Sequence, residues 1–95
     1  METKIKAIHF DITQKLEAYI NKKVDKLARR FDAITEVEVT LKVVKPETND
    51  NKEVGIKIAC KGADLFASKT ADSFEEAVNH CLEALEPQLE KNKNN

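Results

Sequence analysis

Residues 22–30 read Lys-Lys-Val-Asp-Lys-Leu-Ala-Arg-Arg, five cations in nine positions of a chain whose formal net charge is −1. At 100° per residue, Lys22, Lys26 and Arg29 share one stripe of a helix, joined by Lys15 from two turns earlier. Lys23 and Arg30 stand on its shoulder, and the set covers an arc of roughly 120°. Glu17, Asp25 and Asp32 fall on the other flank. Cations sorted this way can engage phosphates although the molecule as a whole is near neutral. On its own, such a stripe also reads as a solvated helix face.

Other chemistry finds little footing. The chain has two glycines, Gly55 and Gly62, so no Gly-rich phosphate loop can form. His9 and His80 have no Ser or Cys at a spacing that suggests a nucleophilic triad. His80 and Cys81 are adjacent, so on a helix they diverge by about 100° and do not chelate one ion. These absences point to no catalysis, no cofactor, no metal and no small-molecule substrate. Cys60 and Cys81 both occupy apolar-face positions and are expected as reduced core thiols.

The elements that must carry the stripe follow from periodicity. Residues 3–8 alternate as a short strand with Thr3, Ile5 and Ala7 on one face. Asp11 and Thr13 are candidate N-caps. Across residues 13–31, Leu16, Ile20, Val24, Leu27 and Phe31 recur every three or four positions, which predicts an amphipathic helix of about five turns, near 28 Å long. Tyr19 borders the basic arc, where it can cover aliphatic stems. Residues 34–44 switch to period two: Val37, Val39, Leu41 and Val43 face one way, and Glu36, Glu38, Thr40 and Lys42 the other. Residues 45–51 read as a turn or flexible loop. Val54, Ile56, Ile58 and Cys60 alternate in a third strand, residues 61–64 make a tight connection, and residues 65–70 form a fourth strand.

Asp72 and Glu75 match a capping box, with Asp72 as N-cap. The helix it opens buries Phe74, Val78, Cys81, Leu85 and Leu89, and exposes Glu75, Glu76, Glu83, Glu86 and Glu90. Pro87 should kink or loosen its last turns. The polar tail from Glu90 onward, about 91–95, is expected to fray. On the wet sheet face, Lys42, Lys57 and Lys61 mix with Glu36, Glu38 and Glu53, and Phe66 is the exposed aromatic.

The order is β-α-β-β-β-α. Each strand has one apolar face and each helix one apolar stripe, so an α+β fold is predicted: a four-stranded mixed sheet with both helices packed on one face. A right-handed first crossover makes strands 1 and 2 parallel, and strands 2, 3 and 4 form an antiparallel meander. Ninety-five residues suffice for one domain over 1–95 with a two-layer core. There is no membrane-spanning run and no signal-peptide pattern, so a soluble, cytoplasmic protein without a membrane partner is expected.

Within this order, several short groupings carry a resemblance. They are Asp11, Ile12 and Thr13 before the first helix; Lys26 and Leu27, then Phe31 and Asp32; and Leu41, Lys42 and Val43 with Lys45. Ala67 and Ser68, Asp72 with Phe74, and Gln88, Leu89, Lys91 and Lys93 complete the set. In joint order and spacing, from about Ile5 to Lys93, the chain resembles the short ribosome hibernation promoting factors, also called ribosome-associated inhibitors or sigma-54 modulation proteins.

The resemblance implies a fold similar to a double-stranded-RNA-binding domain with an added first strand. It also implies a partner, the small ribosomal subunit, bound between head and body where transfer RNA and messenger RNA pass, with translation blocked in starved or stationary cells. Long family members carry a C-terminal dimerisation domain, which is not expected in this chain. By position, Lys22, Lys23, Lys26, Arg29 and Arg30 match the family's basic first helix, and Lys91 and Lys93 match basic positions late in the second. The middle of the second helix departs from the pattern: Ala84 and Pro87 stand where basic residues are expected. The alternative reading is a protein-interaction module that uses the acidic second helix against a basic surface.

Overall fold

Four strands that each alternate apolar and polar residues can bury only one side of a sheet, and the arrangement of the chain follows from that. The structure, a computed structural model, describes residues 2–44 and 51–93, the last two by backbone only. Its elements are β1 (Glu2–Ala7), α1 (Gln14–Arg30), β2 (Ile34–Val43), β3 (Lys52–Cys60), β4 (Ala63–Ala71) and α2 (Phe74–Lys93). The sheet order is β1-β2-β3-β4, with β1 parallel to β2 and both other pairings antiparallel. This is the predicted topology. The loop predicted over 45–51 lies outside the described residues except for Asn51, whose carbonyl accepts from the Val44 N–H at 2.9 Å.

The inner face is the period-two set read from sequence. Val37, Val39, Leu41, Val54, Ile56 and Ile58 are fully buried, and Ile20 and Val24 of α1 and Val78, Cys81 and Leu85 of α2 close over them. α2 lies against β3 and β4, and α1 runs beside α2 on the β1 side. Phe10 and Phe74 stack with ring centroids 5.1 Å apart, tying the lead-in to α1 to the first turn of α2.

Local details depart from the sequence expectation in four places. The α2 cap is Ser73, not Asp72: the Glu76 N–H donates to Ser73 Oγ at 3.1 Å. The capping pattern thus shifts by one residue, because Ser73 also has a glutamate three positions on. α2 runs unbroken through Pro87. The proline removes one intrahelical donor on an exposed position, while buried Leu85 and Leu89 pin the helix on either side. α2 also continues to Lys93, three residues into the segment expected to fray; residues 94 and 95 lie outside the described set. Finally, the β3–β4 connection is shorter than predicted. Cys60 pairs with Ala63 across Lys61 and Gly62, and Gly62 takes φ of 90°, which a side chain would resist.

Both thiols are free and buried. Cys81 Sγ donates to the Val54 carbonyl at 3.2 Å, with the Ala67 carbonyl at 3.7 Å, so the polar atom is satisfied inside the α2–sheet interface. Burial pushes its thiol up to about 11.

Ile56 is fully buried on β3, paired with Val39 on one side and Ala67 on the other. Ile56→Ala is expected to destabilise the fold by about 3 kcal/mol, read as a lower urea midpoint. Between about pH 9, where an ordinary thiol ionises, and about 11, the unfolded chain loses the Cys81 proton that the folded chain keeps. Stability carried by that neutral thiol is complete below this window and is lost as pH rises through it. The urea midpoint of Cys81→Ala is therefore expected to fall less than that of the parent across the same window.

Candidate nucleic-acid interface

α1 is set by its ends and its buried stripe. Thr13 Oγ1 accepts from the Leu16 N–H at 3.1 Å, Glu17 lies in the first turn, and Arg29 and Arg30 lie in the last turn. Both charge placements favour the helix dipole. Leu16, Ile20, Val24 and Leu27 face the core, and Phe31 continues the stripe just beyond the helix. Holding that stripe inward turns the basic arc outward. Lys15, Lys22, Lys26 and Arg29 are exposed and make no ion pair with a described residue. Lys23 is half-buried, its Nζ 5.5 Å from the centroid of the Tyr19 ring, a cation–π contact of the ammonium group.

The arc does not face solvent along its whole width. Lys23, Lys26, Leu27 and Arg30 form one wall of a groove of about 270 Å³ whose other wall is Asn79, Leu82, Glu83 and Glu86 of α2. Arg30 spans it: Nη1 donates to Glu86 Oε1 at 3.0 Å and Nη2 to Glu90 Oε1 at 3.4 Å. The Arg30 guanidinium carbon also stands 5.1 Å from the Phe31 ring centroid. All three bridging side chains are about half exposed, so the ion pairs contribute no more than about 1 kcal/mol to stability.

The remaining predicted contacts divide. Lys91 is exposed on α2, about 140° around the helix from Glu86, and so lies apart from the α1 stripe. Lys93 ends α2, and its side chain lies outside the described residues. Lys61, assigned from alternation to the open sheet face, sits instead in the hairpin turn, where its N–H donates to the Ala33 carbonyl at 3.0 Å. It lines a second hollow of about 360 Å³ with Arg29, Arg30, Phe31 and Leu89. Its place in the turn agrees with the tight connection expected to begin at residue 61.

The open sheet face carries both signs. Lys4 Nζ pairs with Glu36 Oε1 at 3.2 Å, and that carboxylate raises the Lys4 amine above its usual range. Ser68 Oγ donates to Glu53 Oε1 at 3.4 Å. Phe66 is 62% exposed, as read from sequence, and its ring lies over the backbone of Gly55. On α2, His80 Nε2 lies 3.6 Å from Glu76 Oε1. Among the described residues, no three His, Cys, Asp or Glu side chains are grouped to hold a metal, and no helix is long and apolar enough to cross a membrane.

Comparison with known proteins places this geometry. The ribosome hibernation promoting factor of Pseudomonas putida is 28% identical over 93 residues, covering 98% of this chain and 87% of that one. The Escherichia coli protein of the same name is also 28% identical over 93 residues, with 98% and 94% covered. Among solved structures, a ribosomal subunit interface protein from Coxiella burnetii matches with a TM-score of 0.81 at 22% identity, over 100% of both chains. The N-terminal domain of Thermus thermophilus Protein Y matches at 0.77 and 19% identity, over 93% of both. These two share the fold. The sequence profile of the family described as sigma 54 modulation protein / S30EA ribosomal protein matches residues 3–95, and the chain belongs to that family.

Proposed function

We propose that this protein is a ribosome hibernation factor that binds the small ribosomal subunit through rRNA phosphates on α1 and excludes transfer RNA and messenger RNA by occupying their path. The observation that carries this reading is the row of exposed cations Lys15, Lys22, Lys26 and Arg29, which pair with no acid among the described residues, on one helix of a chain in this family. Cations that pair with no acid among the described residues are open to phosphate, and phosphate contacts supply most of the sequence-independent affinity for RNA. Relatives named ribosome hibernation promoting factor support the ribosome as the partner.

Under this reading nothing is catalysed. Lys22, Lys26 and Arg29 make the primary contacts, with Lys23 beside them. Arg30 adds a contact where a phosphate reaches it. Lys91 and Lys93 contribute separate contacts from the end of α2. The protein works by steric exclusion in the cytoplasm, under starvation or in stationary phase.

Two outcomes test this. The triple reversal Lys22→Glu, Lys26→Glu, Arg29→Glu is expected to abolish co-sedimentation with purified small subunits, with circular dichroism unchanged because none of the three is buried. Retained co-sedimentation would sink the assignment of the site. For the parent protein, each phosphate contact adds roughly −0.7 to −0.9 to the slope of log K against log salt, so Lys22, Lys23, Lys26 and Arg29 on α1 alone predict a slope of about −3. Raising salt fourfold should then weaken binding by roughly 60-fold. A slope near zero would show that phosphates are not the target.

A further inference from the structure

Arg30 is the cation of the arc that the fold has already engaged. Its guanidinium reaches across the groove to two carboxylates of α2, at 3.0 Å and 3.4 Å, and Glu83 adds a third acid to the same wall. Two carboxylates on one guanidinium leave that end of the groove with surplus negative charge. A phosphate entering beside Lys23 and Lys26 meets this charge within a Debye length of about 10 Å, where screening is incomplete. To take Arg30, it must displace both carboxylates and then sit against them.

We infer that Glu86 and Glu90 act as an internal stand-in for phosphate: they occupy Arg30, lower the affinity of the α1 surface for RNA, and favour RNAs that deliver a phosphate deep enough into the groove to replace them. The inference rests on the reading of α1 as an RNA-binding surface. Because the bridge is half exposed and weak as a stability element, exchange with phosphate needs no unfolding. Guanidinium suits the exchange, since its fork of donors matches carboxylate and phosphate alike.

The test is the double variant Glu86→Gln, Glu90→Gln of the full chain. Its binding is measured against purified small subunits by sedimentation and against a short RNA duplex by fluorescence anisotropy. At low salt the variant should bind about five- to twenty-fold tighter than the parent. Its salt slope should steepen by roughly 0.7–0.9, one added phosphate contact. Adding Arg30→Gln should remove both gains. A control, Glu38→Gln with Asp64→Asn, makes the same change of net charge on the open sheet face and should gain less than about two-fold.

Binding no tighter than the parent overturns the inference. So does a gain that survives Arg30→Gln, or an equal gain in the control, which would reduce the effect to net charge. The two readings can fail separately. Binding to duplex RNA with the expected pattern but not to small subunits removes the ribosome assignment and keeps the Arg30 exchange. Tight small-subunit binding by parent and variant alike keeps the ribosome and removes the exchange. Binding to neither probe by any variant overturns both.

Discussion

The sheet has one face to bury and two helices to bury it with, and the side-by-side packing of α1 and α2 governs everything on the surface above. α2 covers β3 and β4, so α1 is left the space toward β1, with its apolar stripe turned down. A helix fixed at that angle presents one flank to its neighbour. In α1 that flank belongs to the basic arc. The arc is therefore split: Lys22, Lys26 and Arg29 remain exposed and pair with no acid among the described residues, while Arg30 is drawn to α2. A packing constraint in the core thus decides which cations are available for a ligand.

Core and surface carry separate loads. Stability resides in the aliphatic layer between sheet and helices, where Ile20, Leu41, Ile56, Ile58 and Leu85 are fully buried. The charged residues of α1 add little to it, because exposed ion pairs are screened and floppy. The surface can vary in charge without endangering the fold, and membership of a ribosome-associated family is compatible with a net charge of −1. What matters for a polyanion is the local sorting of charge.

The architecture was legible in the sequence because both periodicities are clean. Val37, Val39 and Leu41 alternate without a break, and Leu16, Ile20, Val24 and Leu27 keep helical spacing, so burial dictates both elements. The cap of α2 was misplaced by one residue because Asp72 and Ser73 each have a glutamate three positions on, and local pattern alone does not choose between them. Pro87 was expected to disturb a helix that packing at Leu85 and Leu89 holds together. The basic stripe itself was readable. The engagement of Arg30 was not, since Glu86 lies 56 positions away and meets it only through tertiary packing.

The exposed ring of Phe66 has a meaning beyond its own position. A methyl group at residue 55 would meet that ring at 3.4 Å, at the near edge of ordinary van der Waals contact. The phenylalanine therefore covers a stretch of β3 that has no side chain of its own. An alanine at 55 would fill the space beneath the ring, and because Phe66 stands exposed the ring can turn aside to admit it.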